Sequence, residues 1–208
     1  MSVTDETPPI RDKVGALGQK GGLKLDLGCG PGKRAPDYVG VDVLDGPSVD
    51  VVADVLQFLR SLDDESVTDV YSSHLFEHLD ELSEVVDELE RVLAVGGHMQ
   101  IVVPHFSNAY FYSDPTHRRP FGLYTFSYYA DDPLLSRRVP TYGRAPRLRI
   151  EAVSLRFRSA VEFPVRHRVK RAMSRVVNRS VWMQEFYEEN LAGIVPCYEL
   201  DFRLVKFR

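Results

Sequence analysis

Cysteine is scarce in this chain, with two residues in 208. Cys29 and Cys197 lie far apart with no partners at metal-ligand spacing, which excludes a disulfide scaffold and a structural zinc knuckle. Long hydrophobic runs are also missing. No stretch of about 18 uninterrupted apolar residues occurs, as a membrane-spanning helix would require. The polar start Met1-Ser2-Val3-Thr4-Asp5-Glu6 has no leader-peptide core, so a soluble protein of cytoplasmic location is expected, without membrane insertion. Internal repeats and low-complexity tracts are absent, which argues against a solenoid or a disordered chain. Negative charge is nearly absent from one region: between Arg137 and Arg179 only Glu151 and Glu162 stand against a long series of arginines, although the whole chain carries a net charge of −4.

What is present suits one core. With 44% hydrophobic residues the chain can form a single domain over residues 1–208. Residues 1–20, rich in proline, glycine and charge, read as a loose arm or a lid. Short β-type runs then alternate with helical ones, the pattern of a twisted, mostly parallel sheet covered by helices. The most periodic helix is expected over Leu79 to Leu93, with Leu82, Val85, Val86, Leu89 and Leu93 on one face and Gly96-Gly97 ending it. Met99 to Val103 reads as a buried strand, and residues 105–146 as an aromatic-rich insertion following it.

The strongest motif is Leu25-Asp26-Leu27-Gly28-Cys29-Gly30-Pro31-Gly32. An apolar strand breaks into alternate glycines, which lets the backbone approach a ligand that any Cβ would push away. A dinucleotide-binding loop would place its ribose-binding acid about 20 residues on. Here the acid closing the next apolar run is Asp42 in Tyr38-Val39-Gly40-Val41-Asp42, too early for that pattern, and Val49 to Ala53 then delivers Asp54.

The series DLGCGPG, VGVD and VVADV resembles the class I S-adenosylmethionine-dependent methyltransferases. Thr68-Asp69-Val70-Tyr71-Ser72-Ser73 resembles their fourth strand, and Leu89 to Gly97 the helix and turn before the fifth. The resemblance implies a Rossmann-like α/β fold with a seven-stranded, mostly parallel sheet and the insertion after the fifth strand. It implies S-adenosyl-L-methionine as cofactor, with Asp26, Gly28, Cys29, Gly30 and Gly32 around the methionine part and Asp42 on the ribose hydroxyls. Asp54 and Val55 would lie near the adenine, and Ser72 and Ser73 at the end of the fourth strand. One departure stands out: only Lys33 to Asp37 separate the loop from the next strand, with Pro36 among them, so the usual first helix is expected to be short or missing.

In such sheets the acceptor binds beyond the carboxyl ends of the strands. Two groups of polar residues belong there. His74-Leu75-Phe76-Glu77-His78 offers His74, Glu77 and His78 at i, i+3 and i+4 of a helical face. Glu77-His78-Leu79 resembles a turn of methyltransferases that bind no metal. The arrangement also resembles small-RNA 3′-end methyltransferases, which implies a divalent metal such as Mg2+ on these residues, with His105 or His117 as a further ligand. The second group, His105 with Asp114 and His117, supplies candidates for a catalytic base: an imidazole accepts a hydroxyl proton near neutral pH, and a carboxylate can orient it.

Aromatic residues Tyr110, Tyr112, Phe121 and Tyr124 provide flat faces with hydroxyl rims, suited to stacking on sugar rings, although part of the set would pack the insertion itself. Asn108 to Phe121 resembles a segment of bacterial methyltransferases tied to polysaccharide synthesis, including actinobacterial enzymes that O-methylate mannosides. The expected acceptor is therefore a sugar hydroxyl of a small molecule or oligosaccharide rather than nucleic acid. Two alternatives remain open: an RNA methyltransferase using the basic belt, and a non-catalytic module that senses S-adenosylmethionine. Within the belt, Val165, Val169, Ala172, Met173, Val176 and Val177 form a helical stripe expected to pack on the sheet, its arginines answering the acidic half of the chain or of a homodimer partner.

Overall fold

A computed structural model describes residues 9–18, 21–159 and 162–208. The central strand β2 (Leu23–Leu27) and its neighbours β3 (Val39–Asp42) and β5 (Val67–Ser73) run parallel. Two-residue β4 (Val51–Val52) extends the parallel set beyond β3, and β6 (Leu93–Pro104) extends it beyond β5. The last strand β8 (Glu199–Lys206) inserts antiparallel between β6 and β7 (Leu148–Arg156). The sheet has eight strands rather than seven, because Arg11–Asp12 forms β1 antiparallel to β4 and completes the order β1-β4-β3-β2-β5-β6-β8-β7.

Thus part of the expected arm is tied to the sheet edge: Asp12 accepts hydrogen bonds from the backbone N–H groups of Val14, Ala16 and Leu17, closing a turn that buries Ala16. Residues 1–8 and 19–20, the remainder of that arm, lie outside the described residues.

Apolar alternation explains the strands. Leu23, Leu25 and Leu27 of β2 are buried, as are Val67 and Val70 of β5 and Ile101 and Val103 of β6. Helix α1 (Val55–Arg60) starts where the Asp54 carboxylate caps the Gln57 N–H, and it buries Phe58 and Leu59. Helix α2 (Leu82–Val92) buries the expected face of Leu82, Val85, Val86 and Leu89. It is shorter than the periodicity suggests at both ends. Residues Phe76–His78 form a separate 3-10 turn, and Leu93 already pairs with Val67 as strand, so a bulge absorbs Gly96 (φ +82°) before the register resumes at His98. No helix lies between β2 and β3, as Pro36 and the short spacing require.

Residues 105–147 hold two short 3-10 turns, Ala109–Ser113 and Phe126–Tyr128, and no named strand. They close over the carboxyl end of β6. The chain then forms β7, helix α3 (Pro164–Val177), helix α4 (Val181–Asn190) and β8. No helix among the described residues is long and apolar enough to cross a membrane.

Gly40 is the tightest point of this arrangement. A Cβ there would stand 2.4 Å from the Ser48 carbonyl oxygen and 2.9 Å from Cys29 Sγ. Because one of those atoms is backbone, Gly40→Ala should destabilise the protein by about 1–3 kcal/mol. Urea denaturation of the two proteins measures this, and an unchanged midpoint would contradict the packing at β3.

Candidate functional site

The parallel strands bring their carboxyl ends to one edge, and the glycine turn follows β2 there. Gly28 (φ +69°) and Gly30 (φ +54°) are left-handed, and a Cβ on Gly28 would lie 2.9 Å from Leu75 Cβ. The turn is therefore pressed against the segment after β5. A cleft of about 450 Å³ opens over it, lined by Asp26, the loop from Gly28 to Arg34, Tyr71 and Ser73.

Asp42 closes β3 beside this cleft. One of its oxygens accepts from Gly30 N–H at 2.9 Å and the other from Leu44 N–H at 2.9 Å, and each retains a lone pair for a further donor. Asp26 is buried, which raises its pKa, and accepts from Arg34 N–H at 2.5 Å. Burial pushes the Cys29 thiol up to about 12, so it is an inert packing group whose Sγ faces the Ser48 carbonyl. Gly32 lines the cleft without needing a left-handed φ. Asp54 spends one oxygen on the α1 cap, and the Val55 side chain is buried.

Ser72 departs from expectation: fully buried, it donates from Oγ to the Leu27 carbonyl and staples β2 to β5 rather than facing a ligand. Sequence reasoning missed Lys33, Arg34 and Tyr71. The Arg34 guanidinium lies 4.4 Å from the centre of the Tyr71 ring, a contact between the glycine loop and β5 that spacing cannot reveal.

The polar groups after β5 are sorted differently from the sequence pattern. His74 adopts φ +58° and so leaves the helical face that would align it with Glu77 and His78. Its Nδ1–H donates to Glu77 Oε1 at 3.1 Å and its Nε2–H to Glu199 Oε2 at 3.3 Å. These hydrogen bonds, to Glu199 first and then Glu77, raise its pKa to about 9 against the effect of burial. Both nitrogens are thus engaged by carboxylates, and His74 stands outside the convergent ligand atoms around Glu77 and His78. Burial opposes ionisation of Glu199, yet the His74 hydrogen bond and the Arg158 and Arg156 guanidinium groups hold its carboxyl below the usual range.

The ligand atoms of Glu77, His78 and His117 do converge, all within 4.8 Å of one another. Their hydrogen-bond partners decide what they offer. His117 Nδ1–H donates to the Phe111 carbonyl at 2.8 Å. Thr116 Oγ1 spends its proton on Asp114 at 2.6 Å and therefore accepts from His78 Nδ1–H at 2.9 Å. Both rings consequently keep a lone pair on Nε2. Glu77 is wholly buried, and its Oε2 has no hydrogen-bond partner. A buried carboxylate oxygen beside two imidazole lone pairs fits a divalent cation, and nitrogen donors favour a transition ion over Mg2+. The insertion supplies one of the three, His117, anchored where Arg118 N–H donates to the Glu77 carbonyl at 2.7 Å and Arg118 pairs with Asp80.

His105 lies elsewhere. It is completely buried, with Nδ1 at 2.7 Å from Ser107 Oγ and Nε2 at 3.1 Å from Glu188 Oε2, so both nitrogens are engaged and no lone pair faces an acceptor. Asp114 lies beside His117, its Oδ2 at 3.8 Å from Nε2. Hydrogen bonds from Thr116 hold the Asp114 carboxyl below its ordinary range.

The candidate acceptor aromatics also separate. Phe121 is buried in the core against Phe126, a correction to its expected place on a sugar. Tyr110 and Tyr112 are exposed. Tyr124 donates to Glu185 at 2.7 Å and lines a cleft of about 630 Å³ with Phe106, Arg137, Glu185 and the stacked pair Trp182 and Phe186. The last two aromatics were not foreseen, because their i, i+4 spacing on α4 looks like ordinary helix packing.

Residues 25–101 match a family model described as a methyltransferase domain. A SAM-dependent methyltransferase from Archaeoglobus fulgidus is 21% identical with a TM-score of 0.55, the alignment covering 90% of this chain and 87% of that one. A Bacillus halodurans C-125 protein described as a methyltransferase is 15% identical with a TM-score of 0.54, covering 90% of this chain and 94% of that one. No curated protein matches the chain at a significant level. The fold is the Rossmann-like fold of class I methyltransferases.

The raised His74 value has a consequence for stability. Its folded-state pKa near 9 exceeds the ordinary 6.5, so the bonded imidazolium stabilises the fold fully below about pH 6.5, and that contribution is lost as pH rises through about 9. Thermal denaturation in chelator should show a fall in Tm across this window that His74→Leu, already destabilised, does not share. Parallel pH profiles for the two proteins would rule out the charged imidazole.

Proposed function

We propose that this chain is an O-methyltransferase that moves the methyl group of S-adenosylmethionine to a hydroxyl of a sugar, in a mannoside or an oligosaccharide of polysaccharide synthesis, at a cytoplasmic location. The observation that carries this reading is the lone pair on His117 Nε2, delivered by the insertion to the segment that abuts the glycine turn. The sequence resemblance of Asn108 to Phe121 to actinobacterial mannoside O-methyltransferases, such as the 1-O-methyltransferase of methylmannose polysaccharide assembly, supports the sugar acceptor. Exposed Tyr110 and Tyr112 on the same segment offer stacking faces for it.

Methyl transfer from a sulfonium is an in-line displacement, so alignment of the attacking oxygen with the methyl carbon dominates the rate. In this reading Asp42 holds the ribose hydroxyls with the lone pairs left over from Gly30 and Leu44. The acceptor oxygen forms its bond to the methyl carbon as the carbon–sulfur bond breaks, leaving S-adenosylhomocysteine, and its proton passes to His117 Nε2. The Phe111 carbonyl fixes the tautomer that can accept it, and the Asp114 carboxylate beside Nε2 stabilises the imidazolium formed. His105 acts as a positioning residue, tying the start of the insertion to Glu188 of α4.

The orphaned Glu77 Oε2 favours a second use of the same lone pairs. Glu77, His78 and His117 would hold a divalent cation, which would supply Lewis acidity that lowers the pKa of a bound hydroxyl.

Asp42→Ala should weaken S-adenosylhomocysteine binding at least about tenfold, since hydrogen bonds to a charged group contribute about 1.5–3 kcal/mol each. Calorimetry giving equal affinities would refute the ribose assignment. For His117→Ala, turnover of a methylatable mannoside should drop by about 10²–10⁴-fold while cofactor affinity holds. A variant as fast as wild type would remove His117 from the reaction. Exhaustive chelation separates its two roles: unchanged turnover assigns a base, and a loss restored by added manganese assigns a ligand.

A further inference from the structure

Helix α3 sits the opposite way round from its sequence pattern. Its inward face is largely polar: buried Lys170 donates from Nζ to the Pro196 carbonyl at 2.8 Å, and Ser174 Oγ donates to the Leu155 carbonyl at 3.1 Å. Just past its end, Asn178 Nδ2 donates to that same carbonyl at 2.7 Å. Of the expected apolar stripe Val177 is buried and Met173 is half-buried against the core. Val165, Val169 and Val176 are 71%, 56% and 49% exposed, and Ala172 between them is exposed as well. At about 100° per residue these four positions fall in one narrow sector of the helix. Arg168 and Arg175 border that sector on one side and Arg166 on the other. Phe163 immediately before the helix and Trp182 shortly after it are also exposed.

The charge around this stripe differs from the rest of the basic belt. Arg144, Arg149, Arg156 and Arg158 pair with Asp87, Asp131, Asp201 and Glu199 within the chain. Among the described residues, no carboxylate pairs with Arg166, Arg168, Arg171 or Arg175, and no acidic residue occurs from 163 to 184. An outward apolar stripe edged by uncompensated arginines has the chemistry of an interfacial helix, whose aliphatic face enters the headgroup boundary while its cations meet lipid phosphates. We propose that α3 docks this protein on the surface of an anionic lipid bilayer, lying in the interface without spanning it.

Other occupants fit less well. A second copy meeting the same face would bring Arg168 and Arg175 of both protomers together, a like-charge contact. Nucleic acid would be met by valines at the centre of the face, where phosphates need cations.

The test is co-flotation of the full chain with vesicles of phosphatidylcholine alone or mixed with phosphatidylglycerol. Wild type should float with the mixed vesicles, much less with phosphatidylcholine, and less at high salt. Val169→Ser with Val176→Ser should abolish flotation, and because both sites are exposed the Tm should hold. Arg168→Gln and Arg175→Gln should each weaken partition about fivefold. Equal flotation with both vesicle types, no flotation, or full flotation of the valine variant would overturn the proposal. So would a dimer in sedimentation that the valine variant dissociates, or binding of an RNA oligonucleotide that competes with the vesicles and is lost only in the arginine variants.

Discussion

A parallel pair of strands can be closed only by a crossover, and β2 has a parallel neighbour on each side. The chain therefore leaves the carboxyl end of β2 toward β3 and returns from the other direction to β5, and the two departures open a crevice at that end. Every part of the proposed cofactor site depends on this divergence. Left-handed Gly28 and Gly30 keep the crevice floor free of side chains, and Gly40 lets Cys29 and Ser48 close beneath it. The Ser72 hydroxyl fixes β5 to the last residue of β2. The same edge receives Asp42 from β3 and the Leu75 turn from β5. With no first helix, no helix dipole faces the floor; the cations of Lys33 and Arg34 line it instead.

Beside this crevice the protein buries two carboxylates, Glu77 and Glu199, which water would otherwise solvate. Burial on that scale is tolerated only with compensation, and a single imidazole bridging both supplies it, joined by Arg156 and Arg158 on the Glu199 side. The bridge crosses the sheet, because Glu77 follows β5 whereas Glu199 opens β8. His74 thereby locks the turn that carries Glu77 and His78 to the antiparallel half of the sheet. Its left-handed backbone shows that this placement overrides local preference.

Sequence reading succeeded where one residue's backbone or one element's period decides the outcome. The glycine turn, the strand ends at Asp42 and Ser73, the missing first helix and the buried face of α2 all belong to that class. It failed where the outcome depends on which of two surfaces an element presents. The i, i+3, i+4 spacing of His74, Glu77 and His78 presumed a continuous helix, and one left-handed residue removed His74 from the set. His105 shared its position after β6 with other candidates, but a carboxylate on α4, 83 residues away, captured it. The valine stripe of α3 was legible as a stripe. Periodicity carries no sign, however, and carbonyl acceptors at Leu155 and Pro196 drew the polar face inward.

The group formed by Glu77, His78 and His117 limits what chemistry this end of the fold can host. Leaving a buried polar atom without a partner costs about 1–3 kcal/mol, and more for a charged group. His74 could have satisfied only one Glu77 oxygen while reaching Glu199 with its other nitrogen, so the second oxygen stays bare. The two imidazoles beside it offer lone pairs rather than protons, since their Nδ1–H groups are spent on Thr116 and Phe111. Three acceptors facing one another repel any further acceptor and attract an electron-poor partner, either a cation or the hydrogen of a hydroxyl. On the proposed reading that hydrogen is the one an alcohol gives up, and the direction of these hydrogen bonds favours it before any stacking surface on the insertion takes part.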